Sequence, residues 1–395
     1  MKKKPTVVLL FLMIFLSHVL KGQQSKVDSF FTHTPIFIRG GFQTGNVLPT
    51  NSFVRGDNLL NDTINAYHSF SLLLLKQTIG NRLWEQLYGY PVYGVGIYTA
   101  FFNDKKELGV PYSLFGFFSG PFYRLNKFSF NYEMGLGITF NWKHFDPVKN
   151  PYNIAISAEE STYLEAGLNL EYQLAPRYYL SAGYGFYHFS NGKLKVPNRG
   201  LNTRALKVNL RYQLNKTSVD FIKRDVPRYD KHFEWDISMY GGAQNVIYTG
   251  SNVDISTKYK GLYFPVYGIN NTFSRKLNYK SKIGIGFSVG YNGALNAQIA
   301  AEKGKLDEVD LPFGNHLTLS VYPSYELVID RLALIFQPGL YLYRKETVEL
   351  TPVFYQRIGI KYHFLKNYFL GVNLRAFNLH ESDFIEWNIG RRIKW

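Results

Sequence analysis

His188 and Ser190 stand two residues apart in the run His188-Phe189-Ser190-Asn191-Gly192, and a second polar run, Pro197-Asn198-Arg199-Gly200-Leu201-Asn202, follows closely. On a β-strand, residues i and i+2 point to the same face, so the imidazole and the hydroxyl share one side. A base beside a hydroxyl is the minimum for a serine nucleophile. His188 takes the proton while Ser190 Oγ attacks a carbonyl carbon. Asn202 is the candidate to accept from the distal imidazole N–H and fix the tautomer. Amide donors from Asn191 or Asn198, or backbone near Gly192, are candidates for stabilising the oxyanion. Gly192 and Gly200 permit tight or positive-φ backbone in the intervening loop. The chemistry so assembled is ester hydrolysis. A bare His-x-Ser is also what an aromatic-belt histidine next to a polar loop looks like, so the spacing alone does not decide.

The flanking segments say where such a site stands. On the incoming segment Leu180, Tyr184, Phe186, His188 and Ser190 share a face, opposite Ser181, Gly183 and Gly185. On the outgoing one, Asn202 and Arg204 share the face of Leu206, Val208 and Leu210. The connector 191–201 makes the two strands neighbours in one hairpin. His188, Ser190 and Asn202 therefore fall together on a face that is otherwise apolar. Polar groups at the edge of a lipid-facing wall are costly unless paired, so their clustering calls for a reason.

The same alternation recurs along the chain. Leu164, Ala166, Leu168, Leu170, Tyr172 and Leu174 oppose Glu165, Gly167, Asn169, Glu171 and Gln173. The final residues set Ile385, Trp387, Ile389, Ile393 and Trp395 against Glu386, Asn388, Arg392 and Lys394, with Arg391 interrupting the apolar face. With 31 Tyr, 32 Phe and 34 Gly, a slightly negative mean hydropathy and no apolar run of helix-spanning length after the first residues, the pattern predicts an all-β fold. That fold is a transmembrane antiparallel β-barrel of about 14–16 strands, or alternatively two tandem eight-stranded barrels. Sixteen segments are expected to begin near Ile36, Tyr67, Val92, Tyr112, Phe128, Tyr163, Tyr178, Arg204, Phe233, Leu262, Ile283, His316, Leu332, Phe354, Tyr368 and Phe384. A short helix is an option within Gln77–Leu87, and 46–64 and 293–312 read as long loops.

Residues 1–22 read as a secretory signal: Lys2, Lys3 and Lys4, an apolar core from Val7 to Leu16, then small residues. Zero cysteine excludes a lipoprotein anchor and disulfides, and fits a barrel exported to the Gram-negative outer membrane. The division expected is a barrel half 23–214 carrying the motif, a charged connector 215–232, and a second half 233–395. Leu168, Leu170, Tyr172, Leu174, Tyr178, Tyr179 and Leu180 align without gaps to Ile358, Ile360, Tyr362, Phe364, Tyr368, Phe369 and Leu370, an offset of 190 residues. At that offset His188 and Ser190 correspond to Asn378 and His380, so only the first half carries the pair. Any two barrel hairpins resemble one another to some degree, so a duplication is one reading of two.

Formal charge is +16. Solvated loops and lumen explain it, as does an anionic partner such as lipopolysaccharide phosphates. Lys193, Lys195, Arg199 and Arg204 surround the motif as candidate substrate-binding cations. Nucleic acid is not an expected partner of an exported chain without a binding motif. His68, His144, His232, His316 and His363 are scattered without metal-ligand spacing, and neither a metal nor another cofactor is expected.

Taken whole, His-Phe-Ser-Asn-Gly, then Pro-Asn-Arg-Gly-Leu-Asn, closely resembles the signature of the lipid A 3-O-deacylase family, also called PagL-like or acyloxyacyl hydrolases. The resemblance is specific across 188–202 and looser over 160–214; in 233–395 nothing specific is recognised. It implies an outer-membrane barrel that hydrolyses the 3-linked acyl ester of lipid A on its outer wall. His188 would be base, Ser190 nucleophile, and Asn191 and Asn198 would lie near the oxyanion. Two departures stand out. The best-known family members carry Glu where this chain has Asn202, and family barrels usually have eight strands, half the number expected here. Asn202 is compatible with a Ser-His-Asn arrangement of the outer-membrane phospholipase A type. Lipid A and outer-membrane lipids are the expected partners, with the barrel-assembly machinery engaged through the C-terminal strand. The rival readings are a non-enzymatic porin with a degenerate motif and a phospholipase. A His188 ring nitrogen within hydrogen-bond reach of Ser190 Oγ, facing outward, is the expected mark of the esterase.

Overall fold

A computed structural model describes residues 34–395 apart from 247, 249, 251, 260, 348–351, 379 and 380. The signal expected at 1–22 lies outside the described residues. The first eight strands are β1 (Ile36–Val47), β2 (Ala66–Gln77), β3 (Val92–Phe102), β4 (Gly109–Leu125), β5 (Phe128–Trp142), β6 (Ser161–Ala175), β7 (Tyr178–Ser190) and β8 (Leu201–Gln213). The second eight are β9 (His232–Gln244), β10 (Phe264–Lys276), β11 (Ser281–Asn292), β12 (Leu317–Ile329), β13 (Leu332–Tyr343), β14 (Phe354–Tyr362), β15 (Tyr368–Phe377) and β16 (Glu381–Lys394). The alternation in sequence becomes strand after strand because each residue pair sends one side chain to the outer wall and the next to the lumen.

Sixteen strands form, and every neighbouring pair is antiparallel. They close as two barrels of eight, not as one of sixteen: β8 returns to pair with β1, and β16 returns to pair with β9. Among the described residues no helix is long and apolar enough to cross a membrane. The helices are short and sit in connections: α1 (Leu83–Leu87), within the segment expected to hold one, then α2 (Val253–Tyr259), α3 (Leu295–Glu302) and α4 (Phe313–His316).

The two faces of the wall differ as the alternation requires. Phe70, Leu72, Leu74, Leu164, Leu168, Leu206, Val208 and Leu210 are exposed on the outside of the first barrel. Inside, Arg39 donates to Glu133 at 2.6 Å, and Lys207 bridges Glu133 and Glu165. The second lumen repeats the device. Lys282 and Lys361 both bind Asp236, at 2.8 Å each, and both bind Glu326. The Lys207 and Lys282 side chains are only 1% exposed. A water-filled channel at this level would hydrate them, so these lumens are packed, and each buried charge stands only because it is paired.

At one end of each barrel the connections run to five residues or fewer, apart from 78–91 with its short helix. Asn126 and Asp330 turn two of them with left-handed φ of 47° and 55°, a conformation that Asn and Asp tolerate. The long connections 48–65, 143–160, 191–200, 245–263 and 293–316 lie at the other end. The barrels touch at both ends. Tyr88 Oη donates to Val328 O at 2.8 Å on the short-turn side, and Asn245 Nδ2 donates to Lys193 O at 3.0 Å on the long-loop side. The long loops of both barrels therefore face the same way.

Candidate active site

β7 and β8 form the hairpin expected, in a register that sets His188 opposite Asn202 and Phe186 opposite Arg204. On the other flank, Ser190 pairs with Thr162 and His188 with Leu164 of β6. Tyr187 and Phe189 are fully buried in the lumen, while Tyr184 and Phe186 are exposed. By strand parity His188, Ser190 and Asn202 thus belong to the outer wall, at the long-loop end.

His188 Nδ1 lies 2.6 Å from Asn202 Oδ1. An amide oxygen only accepts, so this contact makes Nδ1 the donor and leaves Nε2 to take a proton. Asn202 Nδ2 donates in turn to Thr50 Oγ1 at 3.3 Å, which fixes which way the amide faces. Leu48 N–H donates to Asn202 O at 2.8 Å, so the loop 48–65 holds this residue by side chain and backbone.

The direct bond expected between His188 and Ser190 is not formed. Ser190 Oγ instead accepts from Asn198 Nδ2 at 2.7 Å and from Gly192 N–H at 3.2 Å. Ser190 is 7% exposed, tucked beneath the loop 191–200, and His188 is half-buried. Gly200, with φ of 73°, sits between the pair: a Cβ there would lie 3.0 Å from His188 Cε1 and 3.6 Å from Ser190 Cβ. Any side chain at 200 would be strained and would crowd the imidazole.

Of the expected oxyanion donors, Gly192 and Asn198 reach Ser190. The Asn191 amide is turned away, donating to Ser157 Oγ at 2.8 Å and Lys195 O at 3.1 Å. It braces the loop, and Ser157 Oγ braces it further by donating to Lys195 O at 2.6 Å. Asn51 Nδ2 donates to Gly200 O at 3.1 Å. Thr50, Asn51 and Ser157 escape a sequence reading because they come from loops far away along the chain. Only the closure of β1 on β8 brings 48–65 to this hairpin. Lys195, Arg199 and Arg204 are exposed around the site, and Lys193 is half-buried.

A cavity of about 820 Å³ opens instead at the short-turn end of the first lumen, lined by Arg39, Arg124, Glu133, Glu171 and Arg211 among others. None of its lining residues comes from 188–202.

Residues 71–212 match the family described as lipid A 3-O-deacylase (PagL), and residues 233–395 match the acyloxyacyl hydrolase C-terminal domain. The first match holds the whole 188–202 motif, and the second covers β9 to β16 apart from the first residue of β9. No curated protein matches. Among solved structures, a TodX mutant monoaromatic hydrocarbon channel is 8% identical over 92% of this chain and 90% of its own, with a TM-score of 0.19. OccK5 (OpdH) of Pseudomonas aeruginosa is 11% identical over 92% and 98%, with a TM-score of 0.22. A Rhodopseudomonas blastica porin mutant is 8% identical over 92% and 99%, with a TM-score of 0.15. These scores are far below those of a shared fold, and the architecture rests on the strand pairing above. The two matches together span most of the chain, and its first barrel is similar to the PagL lipid A 3-O-deacylases, a family of ester hydrolases.

Proposed function

We propose that the chain is an outer-membrane serine esterase that removes an ester-linked acyl chain from lipid A, with Ser190 as nucleophile and His188 as base on the outer wall of the first barrel. The observation that carries this reading is the grouping of a tautomer-fixed His188 and a Ser190 hydroxyl ringed by two donors. In the free protein Ser190 Oγ occupies the place of an oxyanion, between Gly192 N–H and Asn198 Nδ2. The substrate carbonyl oxygen displaces it from those donors and turns it toward His188 Nε2, the tightening expected when catalytic hydrogen bonds form only with substrate bound.

Ser190 Oγ then bonds to the acyl carbon while its proton passes to His188 Nε2. Gly192 and Asn198 hold the oxyanion of the tetrahedral intermediate. His188 returns the proton to the departing sugar oxygen, which leaves as a hydroxyl, and the acyl group stays on Ser190. Water attacks the acyl-enzyme with His188 again as base, releasing the fatty acid and restoring Ser190. The imidazolium meets an amide in Asn202 where the family has a carboxylate, so orientation is retained and charge stabilisation is not.

Lys195, Arg199 and Arg204, exposed beside the site, suit the lipid A phosphates, with Lys193 contributing from the loop. Long loops mark the extracellular end of outer-membrane barrels. That orientation matches Ser190 to the leaflet where lipid A resides, in a chain exported by its first 22 residues and assembled through β16 and Trp395. Mass spectrometry of lipid A from cells expressing wild type and Ser190→Ala is the test. Loss of one acyl chain is expected with wild type alone; the same loss with a folded Ser190→Ala protein would refute the assignment.

A further inference from the structure

The loop over Ser190 is held from two sides. The first barrel holds its ends: Arg199 N–H and Gly200 N–H donate to Ile154 O and Ala155 O at 2.9 and 3.0 Å, and Ser157 binds Lys195 O. Its middle, Gly192 to Leu194, rests on the second barrel. Asn245 Nδ2 donates to Lys193 O at 3.0 Å, and Tyr263 Oη donates to Leu194 O. A Cβ on Gly192 would lie 3.0 Å from Ile385 Cδ1 and 3.5 Å from Leu374 Cδ1, so the Gly192 backbone lies against β16 and β15.

This middle segment is the strained part. Gly192 and Lys193 adopt consecutive left-handed conformations, with φ of 62° and 66°. For lysine that conformation is unfavourable, and such strain persists only where the surroundings over-determine it. The strained turn also carries the Gly192 N–H aimed at Ser190 Oγ.

We propose that the second barrel is a positioning element for the ester-hydrolysis site: Asn245, Tyr263, Leu374 and Ile385 hold the Gly192–Leu194 turn so that the Gly192 N–H is aimed at the oxyanion. The inference rests on the esterase reading above. It gives the 233–395 half a role without any reacting group of its own. A donor displaced by about 1 Å weakens stabilisation of the transition state far more than binding of the lipid, which the rest of the wall provides.

The full chain is purified in detergent as wild type, as Asn245→Ala/Tyr263→Phe and as Ile385→Ala. Folding is checked by heat-modifiable gel mobility. Ile385→Ala truncates a side chain on the outer wall, so it tests the contact without touching either lumen. The expected result is a kcat on lipid A lower by about 10²-fold in the double variant, with KM within about twofold. Ile385→Ala should lower kcat less, again with KM unmoved. A kcat within about twofold of wild type in both variants overturns the inference, as does a loss confined to KM. Wild type that leaves lipid A intact would instead refute the esterase reading itself.

Discussion

The two barrels share strand number, antiparallel order and a lumen locked by buried ion pairs, and they part company at one hairpin. In the first, β7 and β8 are joined by 191–200, which covers Ser190 and supplies its donors. In the second, the equivalent seventh and eighth strands, β15 and β16, are joined by 378–380 alone. The offset of 190 residues read from the sequence superimposes β6 on β14 and β7 on β15, the sixth and seventh strands of each barrel. His188 then corresponds to Asn378, and Ser190 to His380, which lies outside the described residues. The shared parts build a wall and lock a lumen. The proposed chemistry sits in what is not shared, and Leu374 and Ile385 of the β15–β16 hairpin are what Gly192 rests upon.

The comparison breaks first at the nucleophile. Ser190→Ala should lower lipid A hydrolysis by about 10³-fold or more, as removal of a catalytic serine does, and His188→Ala should match it. The two losses should not add, because the residues act as one unit. Initial rates on purified lipid A in detergent measure this. Comparable rates in the single variants and wild type would put the chemistry elsewhere in the chain, the second barrel included.

The lumens should break alike. Glu133→Gln leaves Arg39 and Lys207 short of a counter-charge, and Asp236→Asn does the same to Lys282 and Lys361. Removing one partner of a buried pair costs about 3–5 kcal/mol, so both variants should unfold at lower denaturant concentration. Urea titration followed by gel mobility is the measurement. A loss in one barrel only would show that the second lock is not a copy of the first in energy.

The third break is Asn202→Ala, expected to lower kcat by about 10²-fold by freeing the His188 tautomer. Asn202→Glu should retain activity, since a carboxylate accepts from Nδ1 and adds imidazolium stabilisation, though it gives up the bond to Thr50. Rates within about twofold of wild type for Asn202→Ala would remove this residue from the site.

Much of this was legible in sequence, for a local reason. Strand alternation is read over a few residues, and all sixteen expected starts lie within three residues of the observed ones. His188 and Asn202 share a hairpin, so parity alone brought them together. The sequence leaves the choice of closure open between one large barrel and the two tandem barrels that form: β8 pairing with β1 rather than continuing to β9 is a contact between distant segments, and both arrangements need the same alternation. For that reason Thr50, Asn245 and Tyr263 went unseen. Asn191 shows the complementary limit. Parity stops at the strand end, and nothing local says that its amide turns to Ser157 while Asn198 turns to Ser190.

The smallest effect expected concerns the loops that steady the site, and it has a direction in pH. Glu107, in the β3–β4 connection of the first barrel, accepts from Leu59 N–H at 2.8 Å through Oε2. It thereby holds the same 48–65 loop that supplies Thr50 and Asn51. Burial pushes its carboxyl up from 4.5 to about 7, and the neighbouring Asp104 adds to the rise. A raised acid keeps in the folded state a proton that the unfolded state releases. Its contribution is complete below pH 4.5 and is lost as pH rises toward 7. The 48–65 loop should therefore be cut faster at Arg55 by a protease as pH rises through that window, after correction for the protease's own profile. Glu107→Gln keeps an amide oxygen for Leu59 N–H and has no proton to lose, so its cleavage should be flat with pH. Equal pH dependence in the two proteins would show that the loop is held by other contacts, and that the first barrel's site does not depend on this carboxyl pair.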